Sequence, residues 1–340
     1  MKAAVFRGAG QPLEIVDVDA PKPGYGEVLV KVAACGVCAT DLHYLHGVPT
    51  FKKPPLILGH EISGTVAEVG EGVRGFSVGD WVLVPPVLSC GVCSRCLEGR
   101  DNICESMQMV GNHVDGGFAE YVKAPARNLV RLPESLPLKE SSIISDAVST
   151  PYHAVKNRGA VRGGEWVAVI GCGGVGINAV QIASALGGLV IAVDIDDRKL
   201  QLAKQLGAVE TINTREAELG KAVQKIVGGG VDVAFEVVGK PATLEQALSI
   251  VRPGGRLVVV GYSAENWSMR VSRLMFREIA VVGSLGCRLA EYPSIVNMVR
   301  TGKIKLEPVI SDRLRLEDVN EGLKRLEEGK VVGRQIVVVS

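Results

Sequence analysis

The sequence lacks the features that would tie it to a membrane or to a nucleic acid. No apolar run reaches the roughly 20 residues of a membrane span, and the first residues, MKAAVFR, lack the apolar core of a signal peptide. Basic and acidic residues nearly cancel, at 38 and 37, without any charge block or low-complexity tract. A net charge of +1 argues against nucleic acid or an anionic membrane as the main partner. We therefore expect a cytoplasmic protein with reduced thiols.

Aromatic residues are also few, at 4%, whereas hydrophobic residues make up 47% of the 340 residues. A chain of this length is expected to form two domains with ample core. In the first 150 residues, Gly and Pro separate short apolar runs, a pattern typical of a β-rich domain. The predicted strands there are Val28–Val32, Ser63–Val69, Trp81–Pro85 and Phe118–Val122.

From Glu165 onward the pattern changes to alternating strands and helices, which predicts a doubly wound parallel sheet with helices on both faces, an α/β fold. The predicted strands are Trp166–Ile170, Leu189–Val193, Val231–Val238, Arg256–Val260 and Ile279–Gly283. The predicted helices are Val175–Leu186, Arg198–Leu206 and Leu244–Ile250. A polar helix, Glu317–Glu328, and a last strand, Gln335–Val339, follow, and this tail could return to the first domain.

Half of the eight cysteines lie within fifteen residues: Cys90, Cys93, Cys96 and Cys104. Short Cys-x-x-Cys steps place thiolates at the spacing of a tetrahedral zinc site, with Zn–S of about 2.3 Å. Four protein ligands leave no open coordination position, so this zinc would be structural. Disulfides and an iron–sulfur cluster are the alternatives, but nothing else marks a secreted chain or a ferredoxin.

The segment GCGGVG, residues 171–176, is a Gly-x-Gly-x-x-Gly between a predicted strand and a predicted helix. The next strand ends in Asp194, as a dinucleotide-binding fold requires. Gly171 would permit the tight turn, Gly173 would let the diphosphate approach, and Gly176 would let helix and strand pack. The diphosphate would lie at the helix N-terminus, beside Gly174 and Val175. A glycine turn in some other α/β sheet is the alternative.

Asp194 also bears on the choice of cofactor. Its carboxylate can accept both hydroxyls of a ribose and would repel a 2′-phosphate, which favours NAD over NADP. Arg198 and Lys199 follow closely, and Lys199 is expected near the cofactor. Because these cations could also attract a phosphate, NADP remains possible.

Cys38, His60 and Asp146 offer one thiolate, one imidazole and one carboxylate. Three protein ligands with an open fourth position are typical of a catalytic zinc. Their spacing alone is not decisive, since His60 could be a hydrogen-bonded polar residue and Asp146 a helix N-cap.

Taken together, these motifs resemble the zinc-dependent medium-chain alcohol dehydrogenases over the whole chain. The family's order is catalytic cysteine, Gly-His-Glu, four-cysteine lobe, third ligand and nucleotide loop, and all five occur here in that order. GEGV at 70–73 and GDWV at 79–82 also resemble the family's signature. The resemblance implies a GroES-like catalytic domain (1–148 and 288–340) and a Rossmann dinucleotide-binding domain (149–287).

The resemblance also implies roles for single residues. Cys38, His60 and Asp146 would bind the catalytic zinc, with Asp146 standing where many members have cysteine. Glu61 would be an alternative ligand that can swing in. Thr40 would relay the proton of the alcohol.

Two further roles follow from the same resemblance. His43 would complete the proton relay, although it could be a surface histidine. Arg334 would contact the cofactor diphosphate. With the four-cysteine lobe, the family implies two zinc ions per chain and NAD(P)(H)-dependent interconversion of an alcohol and an aldehyde or ketone. Cys35, Cys172 and Cys287 are interpreted as small buried residues.

Pro86 and Val87 would help to wall the pocket, and their small size favours branched or cyclic substrates. A polyol or sugar dehydrogenase of the same fold is one alternative, and a non-catalytic zinc- and nucleotide-binding regulator is another. A metal-free enone or quinone reductase would lack both sets of metal ligands. By resemblance we expect a homodimer or homotetramer, with Ile279–Gly283 as a candidate edge for pairing.

Overall fold

A computed structural model of the chain describes residues 1–339 and divides into two compact units. The first unit comprises residues 1–149, 286–301 and 305–339, and the second comprises Thr150–Leu285 and Gly302–Ile304. Among the described residues, no helix has the length and apolar content needed to cross a membrane.

The strands of the described residues, in chain order, are β1 Lys2–Phe6, β2 Glu14–Asp17, β3 Glu27–Gly36, β4 Leu56–Ile57, β5 Glu61–Val69, β6 Trp81–Val84, β7 Val87–Leu88, β8 Gln108–Met109, β9 Tyr121–Pro125, β10 Val130–Arg131, β11 Trp166–Ile170, β12 Leu189–Asp194, β13 Glu210–Asn213, β14 Val231–Glu236, β15 Val251–Val259, β16 Ala280–Gly283, β17 Ile310–Arg315 and β18 Arg334–Val338.

The α-helices are α1 Ala39–Leu45, α2 Ser94–Leu97, α3 Ser149–His153, α4 Gly174–Ala185, α5 Asp197–Gln205, α6 Leu219–Val227, α7 Pro241–Ser249, α8 Val271–Arg277, α9 Tyr292–Arg300 and α10 Val319–Glu327. A π-helical turn, Ala154–Arg158, continues α3.

A seven-stranded sheet dominates the first unit, in the order β10-β6-β5-β3-β18-β17, with β9 also paired to β3. Its central strand, β3, is buried along most of its length because its sequence, EVLVKVAACG, is almost continuously apolar. The antiparallel partner β5 places Glu61 opposite Gly36, where β3 ends. The C-terminal strand β18 also pairs with β3, Ile336 opposite Gly36. The sequence-based expectation that the tail returns to the first domain is therefore confirmed.

The second unit contains a six-stranded parallel sheet in the order β13-β12-β11-β14-β15-β16, with helices in the connections. The predicted α/β class and doubly wound sheet are confirmed. Strands β11 and β12 are fully paired, from Trp166 opposite Leu189 to Ile170 opposite Val193. Their apolar residues are buried because helices cover both faces of such a sheet. The parallel register brings the glycine loop after β11 and Asp194, at the end of β12, to the same edge of the sheet.

Several sequence-based boundaries were wrong. Strand β15 starts at Val251, five residues before the predicted start, and continues through Pro253 and two glycines. Strand β9 starts at Tyr121 rather than Phe118, and α10 starts at Val319 after a 3₁₀ turn. Strand β13 and helix α6 were not predicted. Three of the four residues of β13, ETIN, are polar, so this short strand carries little apolar signal.

Candidate metal centre and nucleotide loop

Cys38 lies directly before α1 and is its N-cap, with extended backbone angles (φ −113°, ψ 152°). Its backbone N–H donates to Oδ2 of Asp41 at 3.0 Å, which fixes the first turn of the helix. Asp41 also accepts the Gly59 N–H at 3.3 Å and is fully buried. This one carboxylate therefore joins the segment that carries Cys38 to the segment that carries His60.

His60 and Glu61 come where the chain enters β5. Gly59 has a positive φ of 88°, and a Cβ there would lie 2.8 Å from both Cys35 Sγ and the Phe118 ring. Only glycine therefore allows the close turn that delivers His60 to the site.

The structure brings Cys38, His60, Glu61 and Asp146 together, with one potential ligand atom of each lying within 4.8 Å of the others. The first three side chains are buried and Asp146 is half-buried. His60 Nε2 lies 3.6 Å from Asp146 Oδ2, and His60 Nδ1 lies 3.7 Å from Asp41 Oδ1. Residues widely separated in sequence thus form one constellation of metal-binding side chains.

Arg334 lies in the same cluster and is 4% exposed. Its Nη2 donates to Glu61 Oε1 at 2.6 Å and lies 3.6 Å from Cys38 Sγ, while Nη1 donates to the Val37 carbonyl at 3.1 Å. The sequence predicted a diphosphate contact for this residue, and that stays a prediction. The contacts that the structure describes are those to the metal-binding side chains.

The electrostatics of the cluster favour a thiolate. Burial opposes ionisation of Cys38, but the charge of Arg334 and a hydrogen bond with His60 outweigh it and lower the pKa to about 7. Burial raises the pKa of Glu61 to about 8 against the opposing effect of Arg334. Burial also disfavours charge on His60, yet the neighbouring Asp146 and Cys38 raise its pKa well above the usual value.

This donor set fits zinc. A thiolate, an imidazole and a carboxylate are ligands that Zn²⁺ accepts, and the thiolate and the Asp146 carboxylate together balance its charge. Glu61 Oε2 is buried without a hydrogen-bond partner, so a fourth donor is available in the cluster. The other carboxylate oxygen of Glu61, Oε1, forms an ion pair with Arg334.

The cluster of four cysteines, Cys90, Cys93, Cys96 and Cys104, has the dimensions of a tetrahedral zinc site. The sulfur of Cys93 lies 3.5 Å from that of Cys96 and 3.8 Å from that of Cys104, and Cys90 and Cys96 are 3.9 Å apart. Thiolates about 2.3 Å from one zinc ion lie about 3.8 Å from one another. These separations are much longer than a disulfide bond of about 2.05 Å. All eight cysteines, which lie within the described residues, are free.

Backbone N–H groups point at these sulfurs. Cys90 Sγ accepts from Val92 and Cys93, and Cys104 Sγ accepts from Cys90 and Ser106. The N–H groups of Cys96 and Glu105 lower the pKa of Cys93 to about 6. Because zinc binds thiolates, these bonds favour the metal-binding form.

In the second unit, the glycine loop follows β11 and leads into α4. Gly171 has φ of 93°, and a Cβ on Gly176 would lie 1.7 Å from the Gly171 carbonyl oxygen. No atom lies within 4 Å of a Cβ built on Gly173, so open space faces this position. These three environments are those expected for the turn, the packing contact and the approach of a diphosphate.

Asp194 is buried and tied to the loop. Its Oδ2 accepts the Cys172 N–H at 2.7 Å, and its Oδ1 accepts the N–H groups of Ile195 and Asp196. Lys199, in α5, is close enough for its charge to act on Cys172. The acidic residue that the sequence singled out therefore adjoins the glycine loop.

The two relay candidates lie on α1. Thr40 Oγ1 is 3.6 Å from Cys38 Sγ, and His43 follows three residues later on the same side of the helix. Burial lowers the pKa of His43, which favours the neutral form of its ring.

Comparison with known proteins agrees with this geometry. The family model for a zinc-binding dehydrogenase matches residues 174–301, and the one for an alcohol dehydrogenase GroES-like domain matches residues 24–134. The chain is 40% identical over 341 residues to an alcohol dehydrogenase of Geobacillus stearothermophilus, covering 100% of both chains. This chain belongs to the zinc-dependent medium-chain alcohol dehydrogenase family. It is accordingly an NAD(P)-dependent alcohol oxidoreductase with GroES-like and Rossmann folds.

Two further relatives indicate the range of this alcohol dehydrogenase family. The chain is 36% identical over 334 residues to sorbitol dehydrogenase of Bacillus subtilis, covering 96% of this chain and 93% of the relative. It is 33% identical to the solved structure of acetophenone reductase from Geotrichum candidum in complex with NAD, with a TM-score of 0.88. That match covers 99% of this chain and 96% of the solved one.

Sequence reasoning missed one residue of the candidate metal centre. Asp41 was not among the candidates, although it contacts both ligand-bearing segments. Its position three residues after Cys38 fits a capping box, and this local signal could have identified it.

Proposed function

We propose that this chain interconverts an alcohol and an aldehyde or ketone by hydride transfer with NAD(H), at a zinc ion held by Cys38, His60 and Asp146. The convergence of thiolate, imidazole and carboxylate donors within 4.8 Å carries this proposal. A second, structural zinc would be held by the four-cysteine cluster. Residues 1–148 and 288–340 would form the catalytic domain, and residues 149–287 the dinucleotide-binding domain.

When bound, the catalytic zinc supplies a Lewis acid that lowers the pKa of the substrate hydroxyl. The chain's own residues manage the proton and the charge. Thr40 would accept the hydroxyl proton as its own hydroxyl proton leaves toward His43, whose ring would pass a proton to solvent. Arg334 balances Glu61, whose free oxygen makes it an alternative ligand. The N-terminus of α4 binds the cofactor diphosphate.

A preference for NAD over NADP is supported by the surroundings of Asp194. Its carboxylate ends β12 beside the glycine loop, where it would accept ribose hydroxyls and repel a 2′-phosphate. Arg198, a candidate partner for such a phosphate, instead donates to both carboxylate oxygens of Asp196, at 3.1 and 2.6 Å. We therefore expect NAD(H) to be the better cofactor.

For the substrate, we favour a branched or cyclic alcohol or ketone. Pro86 and Val87 are buried. The family resemblance implies that they wall the substrate pocket, where their small side chains would leave room for such a substrate. A polyol dehydrogenase is the second candidate, since the carboxylate ligand Asp146 and the likeness to sorbitol dehydrogenase both agree with it. A substrate panel separates the two.

The first experiment combines metal content with turnover. Zinc per chain is measured on the sample assayed with linear, branched and cyclic alcohols, sorbitol, and NAD or NADP. Two zinc ions with NAD-dependent turnover support the proposal, while one zinc without turnover, even after zinc addition, contradicts it.

A matched pair of variants locates the catalytic metal. Cys38→Ser is expected to lose one zinc and nearly all turnover while the fold is retained. Cys287→Ser is the control, since Cys287 is a buried free cysteine whose thiol donates to Glu291. Full activity in Cys38→Ser would contradict the proposed mechanism.

A further inference from the structure

The peptide bond that precedes Asp146 is held by two buried hydroxyl groups. The Ser145 carbonyl oxygen accepts the Tyr292 hydroxyl at 2.7 Å and the Ser149 hydroxyl at 2.8 Å. Tyr292 also lies 3.1 Å from Ser149 Oγ. This carbonyl belongs to the same planar peptide group as the Asp146 nitrogen. The two hydroxyls therefore fix the plane from which the Asp146 side chain departs.

The same segment is also tied to β5, the strand that follows His60 and begins with Glu61. Ser145 Oγ donates to the carbonyl of Ile62 at 2.8 Å, and Ile62 directly follows His60 and Glu61 in the chain. Ser145, Ser149 and Tyr292 are all fully buried. We call these three residues the hydroxyl cluster.

Tyr292 enters this cluster from a distant part of the chain, 143 residues after Ser149. It is the first residue of α9, and Pro293 at the next position favours the start of a helix. Upstream, the Glu291 carboxylate accepts the Arg288 N–H at 3.0 Å. The Tyr292 hydroxyl is thus positioned by the start of a helix rather than by a loop.

We propose that Tyr292 is a positioning residue for the catalytic metal, which acts by holding the Ser145–Asp146 peptide so that the Asp146 carboxylate faces His60. This inference rests on the proposed function, because it requires Asp146 to bind the metal. A carboxylate has two oxygens and several possible binding geometries, so its direction must be set by its surroundings. The hydroxyl cluster supplies that constraint from behind the peptide.

The test is Tyr292→Phe, which removes one hydroxyl and keeps the ring. The purified holoenzyme is titrated with a chelator, and zinc retained per chain is measured together with thermal stability. Loss of a group behind a metal ligand typically weakens metal binding about 10- to 100-fold. We expect one zinc to leave at about tenfold lower chelator concentration, while the zinc of the four-cysteine cluster stays.

Cobalt provides a readout that does not depend on turnover. With Co²⁺ in the catalytic site, a displaced carboxylate is expected to change the ligand-field absorption of Tyr292→Phe. Tyr152→Phe is the control, because Tyr152 is 2% exposed and its hydroxyl accepts from Lys156, in the second unit. It should leave the spectrum and both zinc ions unchanged.

Two more variants keep the test decisive. Ser149→Ala removes the other donor and should act in the same direction, whereas Ser149→Thr keeps a hydroxyl and should retain zinc. Normal zinc retention and a normal cobalt spectrum in both Tyr292→Phe and Ser149→Ala would overturn the inference. If Asp146→Asn loses zinc in the same experiment, the proposed function still stands. If Asp146→Asn retains zinc like the wild type, the ligand assignment fails, and the positioning role fails with it.

Discussion

At the scale of single residues, His60 lies between two carboxylates that face different nitrogens of its ring. Asp41 Oδ1 is 3.7 Å from Nδ1, and Asp146 Oδ2 is 3.6 Å from Nε2. A carboxylate behind Nδ1 favours a proton there, which leaves Nε2 free to bind a metal. Asp41 thus orients the imidazole, while its bonds from Cys38 and Gly59 hold the backbone on either side.

Asp41→Asn is therefore expected to weaken the metal centre. The substitution removes the negative charge beside the His60 ring. The new side-chain NH₂ group would also face one of the backbone N–H groups, of Cys38 or Gly59, that Asp41 now accepts. We expect about 10- to 100-fold weaker binding of the catalytic zinc, measured by chelator competition, with a parallel loss of kcat. Asp115→Asn is the control, because that carboxylate also accepts a backbone N–H, from Ile57, but is 48% exposed. Equal zinc retention in the two variants would remove Asp41 from this role.

The proton relay has its own pH signature. Burial lowers the pKa of His43, which favours the neutral ring that can accept a proton. Without it, the proton must leave to hydroxide, which is scarce at low pH and abundant at high pH. His43→Ala should therefore slow alcohol oxidation on the order of tenfold or more near pH 6–7 and approach the wild-type rate at high pH.

The measurement is kcat as a function of pH, with His113→Ala as the control. His113 is likewise partly buried with a lowered pKa, but it stacks on Phe51, with ring centroids 4.0 Å apart. Parallel pH profiles for His43→Ala and the wild type would show that His43 carries no proton.

Residue types and their order in the sequence were enough to identify Cys38, His60 and Asp146 as candidate zinc ligands. They did not show which residues surround these ligands. Asp41 reads in the sequence as an ordinary helix-capping residue. The contacts of Arg334 depend on β18 pairing with β3, about 300 residues apart in sequence, as the bond from Arg334 to Val37 shows. Such long-range contacts leave no local pattern in the chain.

At the scale of elements, two glycines of the glycine loop meet different requirements: Gly176 allows close packing, and Gly173 faces open space. Gly176 lies against the backbone of Gly171, so even a methyl group would push α4 away from β11. Gly173 has extended angles that alanine adopts readily (φ −73°, ψ −165°), and open space faces it. We therefore expect Gly176 to serve the fold and Gly173 to serve cofactor binding.

Two alanine substitutions distinguish these demands. Gly176→Ala should lower the melting temperature, since overpacking typically costs about 1–3 kcal/mol, and should also reduce NADH binding. Gly173→Ala should melt like the wild type yet bind NADH at least about tenfold more weakly, because its methyl group would occupy the path of the diphosphate. Thermal unfolding and NADH fluorescence titration test both. Unchanged NADH affinity in Gly173→Ala would contradict the diphosphate assignment.

The elements that the sequence predicted well are the buried ones. Strand β11 was predicted with the bounds that the structure has, because its five residues form an apolar run between polar residues. Strand β13 escaped notice because it lies at the edge of the sheet, where polar residues are tolerated. The start of β15 was missed because Pro253 and the following glycines usually interrupt a strand.

At the scale of the whole molecule, the two edges of the parallel sheet differ. Strand β13, at one edge, reads ETIN and is partly polar, whereas β16, at the other edge, reads AVVG. Helix α8, which precedes β16, exposes Val271, Met275 and Phe276 by 78%, 61% and 79%. An apolar edge strand beside exposed apolar side chains is a liability for a free monomer. We therefore propose that β16 and α8 meet a second copy of the chain.

Phe276→Glu tests this proposal for the assembly. A carboxylate in the middle of an apolar contact would be desolvated without a partner, so the oligomer should dissociate into a smaller species, measured by light scattering after size-exclusion chromatography. Tyr25→Glu is the matched control, because Tyr25 is equally exposed at 79% but lies in the first unit. We expect the wild type and Tyr25→Glu to be dimers or tetramers of equal mass. A monomeric wild type, or an unchanged mass in Phe276→Glu, would show that this edge is not the interface.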